Sequence, residues 1–124
     1  MGHGRWTWVN LWAAWCVPCK EEIPTLLRWR SELAGKLEFA FVSLDDDQRQ
    51  LEGFLAAQPS GGLRASHWLE DGDERERWLE GSSVGRDPDL PVQLLLDPAG
   101  KLRCIIRGAI DASDLPELRR IVSG

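Results

Sequence analysis

Cysteine is scarce in this chain of 124 residues. There are three, too few for a disulfide-built scaffold, and the odd count leaves one unpaired if the other two pair. No run approaches the ~20 apolar residues needed to cross a bilayer. Basic residues are outnumbered: 15 Lys and Arg against 20 Asp and Glu give a net charge of -5. That balance argues against nucleic acid, whose phosphates require a basic surface. Repeats and low-complexity segments are absent, and nothing reads as a secretory signal, because Met1-Gly2-His3-Gly4 runs straight into a strand-like segment. Those four residues read as an initiation or cloning remnant, and residues 5–124 as one domain. A domain of this length buries enough apolar surface to fold without staples.

What is present alternates between two periods. Trp6 to Trp12 is β-branched and aromatic and reads as a buried strand. From Val17 to about Ala34 the pattern turns helical, with Ile23, Leu26, Leu27, Leu33 and Ala34 on one face, Pro24 inside it and Gly35 as the stop. Leu37 to Leu44 is a second strand, followed by Asp45-Asp46-Asp47 and a short helix that turns in Leu51, Phe54 and Leu55. Ala65 to Leu69 reads as a third strand. Asp71 and Glu74 suggest a capping box before a helix carrying Trp78 and Leu79. Val92 to Leu96, the turn Asp97-Pro98-Ala99-Gly100 and Lys101 to Arg107 form a hairpin, and a last helix starts near Ser113. The order βαβα, βα, ββα predicts an α/β fold: a mixed central sheet of about five strands with helices on both faces, parallel at first and antiparallel at the hairpin edge.

The chemistry is concentrated in Cys16-Val17-Pro18-Cys19. At a helix start, residues three apart share a face, so the two sulfurs can close a small ring. The first cysteine then sits at the helix N-terminus, where free N–H groups and the macrodipole favour an anion. Such placement lowers a thiol pKa from about 8.5 into the range ~3.5–7.5. Cys16 is therefore the expected nucleophile and Cys19 the resolving thiol, with Lys20 adding positive charge. Half a zinc site is the competing reading. A structural zinc wants four ligands, and only Cys104, His67 and His3 remain as soft donors, without a second knuckle.

The string Asn10-Leu-Trp-Ala-Ala-Trp-Cys-Val-Pro-Cys-Lys20, with Pro24 beyond it, resembles the active-site segment of the thioredoxin superfamily, and more narrowly the bacterial TlpA/ResA-like thiol:disulfide reductases. The resemblance runs from Val9 to about Leu118, and the segment near residues 65 to 80 is similar to that subfamily's insertion. It implies a thioredoxin-like fold, a cis peptide bond before Pro91, and a Leu90 backbone offered to an extended substrate. Trp15 resembles the tryptophan that shapes the docking surface, and Gly108 the glycine that lets a partner approach. Pro18 and the helix N-terminus are expected to shape the site, and Val17 to tune its potential and partner choice. One departure stands out. Many thioredoxins carry a titratable aspartate six residues before the nucleophile, where this chain has Asn10, which cannot act as a base. The group that deprotonates Cys19 is left open. Phe41 likewise stands where thioredoxins often hold a lysine.

Other residues read more plainly. Cys104 is expected as a small core residue, His67 as a strand or loop residue, and Asp45-Asp46-Asp47 as a solvated helix start without the spacing of a calcium loop. Arg28 and Arg30 flank Trp29 and face water. The expected activity is dithiol exchange with protein disulfides, needing no cofactor beyond the Cys16–Cys19 redox disulfide and no metal. The partners are then protein thiols or disulfides and an upstream reductant, met by a monomer. The resemblance implies an extracytoplasmic place, in the bacterial periplasm or on a membrane anchor, with the cytoplasm as the second option. An isomerase or oxidase with the same dithiol, or a non-catalytic adaptor on the same scaffold, are the competing functions.

Overall fold

The computed structural model describes residues 4–123, so Met1 to His3 and Gly124, and with them most of the expected remnant, lie outside the described residues. Gly4 is described: it is exposed and donates its N–H to the Pro98 carbonyl at 3.1 Å. The chain forms β1 (Trp6–Trp12), α1 (Val17–Glu32), β2 (Leu37–Ser43), α2 (Gln48–Ala56), β3 (His67–Trp68), α3 (Asp73–Gly81), β4 (Val92–Leu96), β5 (Leu102–Arg107) and α4 (Leu115–Ser123), with one 3-10 turn at Ala112–Asp114.

Five strands make one sheet in the order β3-β2-β1-β4-β5. β1 runs parallel to β2, and β2 to β3, while β4 is antiparallel to β1 and β5 to β4. Side-chain alternation then divides the core in two. On one face Trp8, Trp12, Phe41 and Leu95 pack with Ile23, Leu26 and Trp29 of α1, Leu51 of α2 and Leu118 and Val122 of α4. On the other, Val9, Leu11, Val42, Leu44, Val92 and Leu94 are covered by Leu79 of α3 and by Val84. Helices therefore lie on both faces, as the alternation of strand and helix requires.

Several expectations change in detail. Ala34 is exposed, because α1 ends at Glu32 and the chain turns through Gly35 at φ 87°. The third strand is two residues long, because only Val42 and Ser43 are in register to pair with it. The capping box of Asp71 and Glu74 is not formed. α3 starts after Gly72, at φ 143° and without a side-chain cap, and Asp73, Glu74 and Glu76 instead bring negative charge to the helix N-terminus. Cys104 is exposed rather than in the core. β5 is an edge strand, and none of its residues is fully buried.

Candidate active site

β1 delivers the chain to a short turn, and the turn delivers Cys16 to the head of α1. Cys16 is the N-cap, with extended φ -89° and ψ 110°, and Pro18 occupies the first turn, where its missing N–H removes nothing the helix could use. Cys19 lies one turn on. The two are joined as a disulfide with Cα atoms 5.3 Å apart. The Cys19 amide donates to Cys16 Sγ at 3.3 Å, so the helix start already aims a donor at that sulfur. Cys19 is fully buried and Cys16 is 4% exposed, whereas Trp15 and Val17 on either side are 59% and 58% exposed. A sunken dithiol between two protruding apolar side chains is a surface on which another polypeptide can rest. Pro18 is exposed and Lys20 half-buried beside it.

The proline loop reaches the same end of the sheet. Leu11 near the end of β1 pairs with Val92 at the start of β4, so the residues before β4 sit beside those after β1. The Leu90–Pro91 peptide is cis. Pro91 is buried, Leu90 is half-buried, and the Pro91 carbonyl accepts the Gly108 N–H at 2.9 Å. Gly108 has φ 121°, a conformation that side-chain-bearing residues rarely adopt, and no other residue comes within 4 Å of where a Cβ would stand.

A polar network joins Asn10, singled out in the sequence, to Glu22 and Gln93, which sequence reasoning missed. Asn10 and Gln93 face each other across β1 and β4, and Glu22 of α1 lies over the pair. Trp8 Nε1 and Asn10 Nδ2 both donate to Gln93 Oε1, at 2.9 and 2.8 Å. Glu22 Oε1 accepts from Asn10 Nδ2 and Gln93 Nε2, both at 2.9 Å, and Oε2 accepts from Gln93 Nε2 and the Ile110 amide, both at 3.0 Å. The indole can only donate, so it fixes which end of the Gln93 amide faces it, and the rest of the network follows. Glu22 is 4% exposed. Burial pushes its carboxyl above the ordinary 4.5, against the opposing pull of the Gln93, Ile110 and Asn10 hydrogen bonds. Glu22 follows Cys19 by three positions, which puts both on one helix face. The signal available in the sequence was that glutamate's place at helical spacing from Cys19, Leu26 and Trp29.

The remaining candidates stay apart from this site. His67 is exposed on β3 and Cys104 on β5. Among the described residues no three His, Cys, Asp or Glu side chains are placed to hold a metal ion. None of the described helices is long and apolar enough to cross a membrane. Arg28 and Arg30 are exposed, as expected, and Trp29 between them is buried.

No protein-family model matches the chain. Curated relatives do. The thiol:disulfide interchange protein HelX of Rhodobacter capsulatus is 29% identical over 107 residues, covering 86% of this chain and 54% of HelX. The thiol-disulfide oxidoreductase ResA of Geobacillus thermodenitrificans is 26% identical over 120 residues, covering 93% of this chain and 62% of ResA. The chain thus spans about half the length of these relatives. Among solved structures, a thiol:disulfide interchange protein of the thioredoxin family from Chlorobium tepidum superposes with a TM-score of 0.77 at 20% identity, covering 99% of this chain and 83% of that one. A five-stranded mixed sheet with this strand order, a dithiol at the head of α1 and relatives of the HelX and ResA kind lead to one conclusion: the chain has a thioredoxin-like fold and is similar to the ResA- and HelX-type thiol:disulfide oxidoreductases.

Proposed function

We propose that the chain is a TlpA/ResA-like protein-disulfide reductase working through Cys16 and Cys19. The observation that carries the reading is Cys16 Sγ at the N-cap of α1, accepting the Cys19 amide while joined to Cys19 as a disulfide. A sulfur held there is stabilised as a thiolate once the disulfide is opened.

The cycle begins when the Cys16 thiolate attacks one sulfur of a protein disulfide. That S–S bond breaks, a new one joins Cys16 to the substrate, and the other substrate sulfur leaves as a thiolate that takes a proton from water. Cys19 then gives up its proton and attacks Cys16 Sγ. The mixed disulfide breaks, the second substrate thiol departs, and the Cys16–Cys19 disulfide is restored with two electrons passed to the substrate. An upstream dithiol reductant returns the pair to its reduced state. Glu22 is the group best suited to accept the Cys19 proton. It shares the helix face of Cys19, and its carboxyl is raised by burial toward the range where proton exchange with a thiol is efficient. Asn10 holds that carboxyl rather than replacing it. Trp15, Val17, Leu90 and Pro91 are the surface on which the substrate chain rests, Leu90 offering its backbone as strand addition requires.

The clients are protein disulfides, and the kinship supports an extracytoplasmic place of work. Insulin reduction driven by dithiothreitol tests the activity. Acceleration by the wild type and its loss in Cys16→Ser is the expected result; no acceleration would favour an adaptor on the same scaffold.

A further inference from the structure

Asp45 is the first of three consecutive aspartates after β2, yet it is not part of a solvated helix start. Asp46 is exposed, and Asp47 is the N-cap of α2, accepting the Arg49 amide at 2.9 Å. Asp45 is fully buried. Its Oδ2 accepts the Ser43 hydroxyl at 2.6 Å, its own N–H donates to Ser43 Oγ at 3.0 Å, and its carbonyl accepts the Trp68 indole N–H at 2.9 Å. Trp68 belongs to β3, so the inserted segment fixes this residue from one side and β2 from the other.

What Asp45 then holds is the turn that carries the nucleophile. Both of its carboxyl oxygens lie 3.0 Å from the Ala14 amide nitrogen. The β1–β2 ladder ends where Leu44 N–H meets the Trp12 carbonyl at 2.8 Å, so beyond it the backbone needs another acceptor. Two residues on, the Cys16 N–H closes the turn onto the Ala13 carbonyl at 3.1 Å. The segment from Ala13 to Cys16 is thus tied at Ala14 to the sheet and at Cys16 to itself. A buried polar side chain is costly unless its hydrogen bonds are met, and here the Ser43 hydroxyl and the Ala14 amide meet them.

We propose that Asp45 is a positioning residue for the nucleophile, clamping the Ala13–Cys16 turn so that Cys16 Sγ stays at the N-cap of α1 when the disulfide is open. The inference rests on the dithiol reading above. In the oxidised protein the bond to Cys19 tethers the sulfur and the clamp is redundant. In the reduced protein the tether is gone and the clamp keeps the sulfur under the helix amides. Its loss therefore acts on the reduced form, by withdrawing stabilisation from the thiolate.

The test is the pH profile of iodoacetamide labelling of Cys16 in the reduced full chain, read by mass spectrometry from about pH 5 to about pH 9, the span over which protein thiols titrate. Lys20 and Glu22 are unchanged in every variant, and Asp45→Ala and Asp45→Asn remove the same negative charge, so the difference between those two shifts reports the clamp. Asp45→Ala is expected to move the profile upward by about one pH unit, a roughly tenfold slower labelling on its low-pH limb. Asp45→Asn, which retains one carbonyl oxygen for the Ala14 amide, is expected to shift less than half as far. Ser43→Ala, which frees the carboxyl group on one side, is expected to shift in the same direction and decides the matter should Asp45→Ala not fold. A folded Asp45→Ala with the wild-type profile, an Asp45→Asn shifted as far as Asp45→Ala, or an unshifted Ser43→Ala would each overturn the clamp while leaving the reductase reading intact. A wild type whose Cys16 shows no enhanced labelling would instead overturn both.

Discussion

Asn10 donates through Nδ2 to Glu22 Oε1 at 2.9 Å, inside a core where both side chains are all but sealed from solvent. The asparagine that cannot titrate thus holds a carboxyl that can. In the proposed cycle the proton chemistry sits on the helix, one turn past Cys19, rather than on the strand, and this relationship has consequences for rate, for pH dependence and for stability.

Glu22→Gln keeps the side-chain shape but removes the proton acceptor. The step in which Cys19 displaces the substrate is expected to slow by about a hundredfold, at the lower end of what a positioned base contributes. The first attack by Cys16 is left near its wild-type rate. Rapid-quench trapping should then show the mixed disulfide accumulating in the variant and not in the wild type. Equal mixed-disulfide lifetimes would remove Glu22 from the mechanism.

The same carboxyl makes a signed prediction about stability. Burial raises the Glu22 pKa in the folded chain above the ordinary 4.5 of the unfolded one, so the folded state holds the proton more tightly. Its contribution is fully present below 4.5 and is lost as pH rises through the raised folded value. Exposed Asp47, Asp111 and Glu117 shift the opposite way, their carboxyls lowered by hydrogen bonds from Arg49, Ser113 and Arg120 respectively, and they are common to both proteins. The wild type should therefore lose stability relative to Glu22→Gln as pH rises from 4.5, at up to about 1.4 kcal/mol per pH unit while the group titrates. Urea denaturation of the oxidised proteins across that range measures it; a pH-independent difference would contradict it.

Gln93 is the hub of the network, accepting from Trp8 and Asn10 and donating to Glu22 and to the Gly108 carbonyl. Gln93→Leu would leave the Trp8 indole, the Asn10 amide and the Glu22 carboxyl short of partners in the core. Each orphaned group costs about 1–3 kcal/mol, so the variant is expected to lose roughly 3 kcal/mol or more in denaturant unfolding. A loss below about 1 kcal/mol would mean the network relaxes onto other partners.

A redox titration against glutathione bears on direction. A reductase is expected to have a Cys16–Cys19 potential well below that of the strongly oxidising dithiols. A potential among the oxidising ones would turn the reading toward an oxidase or isomerase with the same dithiol.

Much of this was legible in the sequence because it is written locally. The strand from Trp6 to Trp12, the helix after Cys16, the hairpin turning at Asp97 to Gly100 and the cysteine spacing each depend on neighbours in the chain. What was illegible depends on long-range burial. Glu22 and Asp45 are charged residue types in polar-looking surroundings, and only the sheet register and the overlying helix enclose them. Cys104 misleads for the converse reason. Its apolar neighbours read as core, but the strand falls at the sheet edge, where cover runs out. The Asp71–Glu74 spacing fits a capping box, yet Gly72 takes the N-cap position and leaves Asp71 outside the helix.

The most direct measurement is competitive alkylation of the reduced chain at about pH 6, where an ordinary thiol is almost wholly protonated, with each cysteine resolved by mass spectrometry. Cys104, exposed on the edge strand, supplies the internal reference. Cys16 is expected to label at least about tenfold faster than Cys104, and Cys19, buried one turn deeper, more slowly than Cys16. Cys16 labelling no faster than Cys104 would mean that the head of α1 does not activate its sulfur.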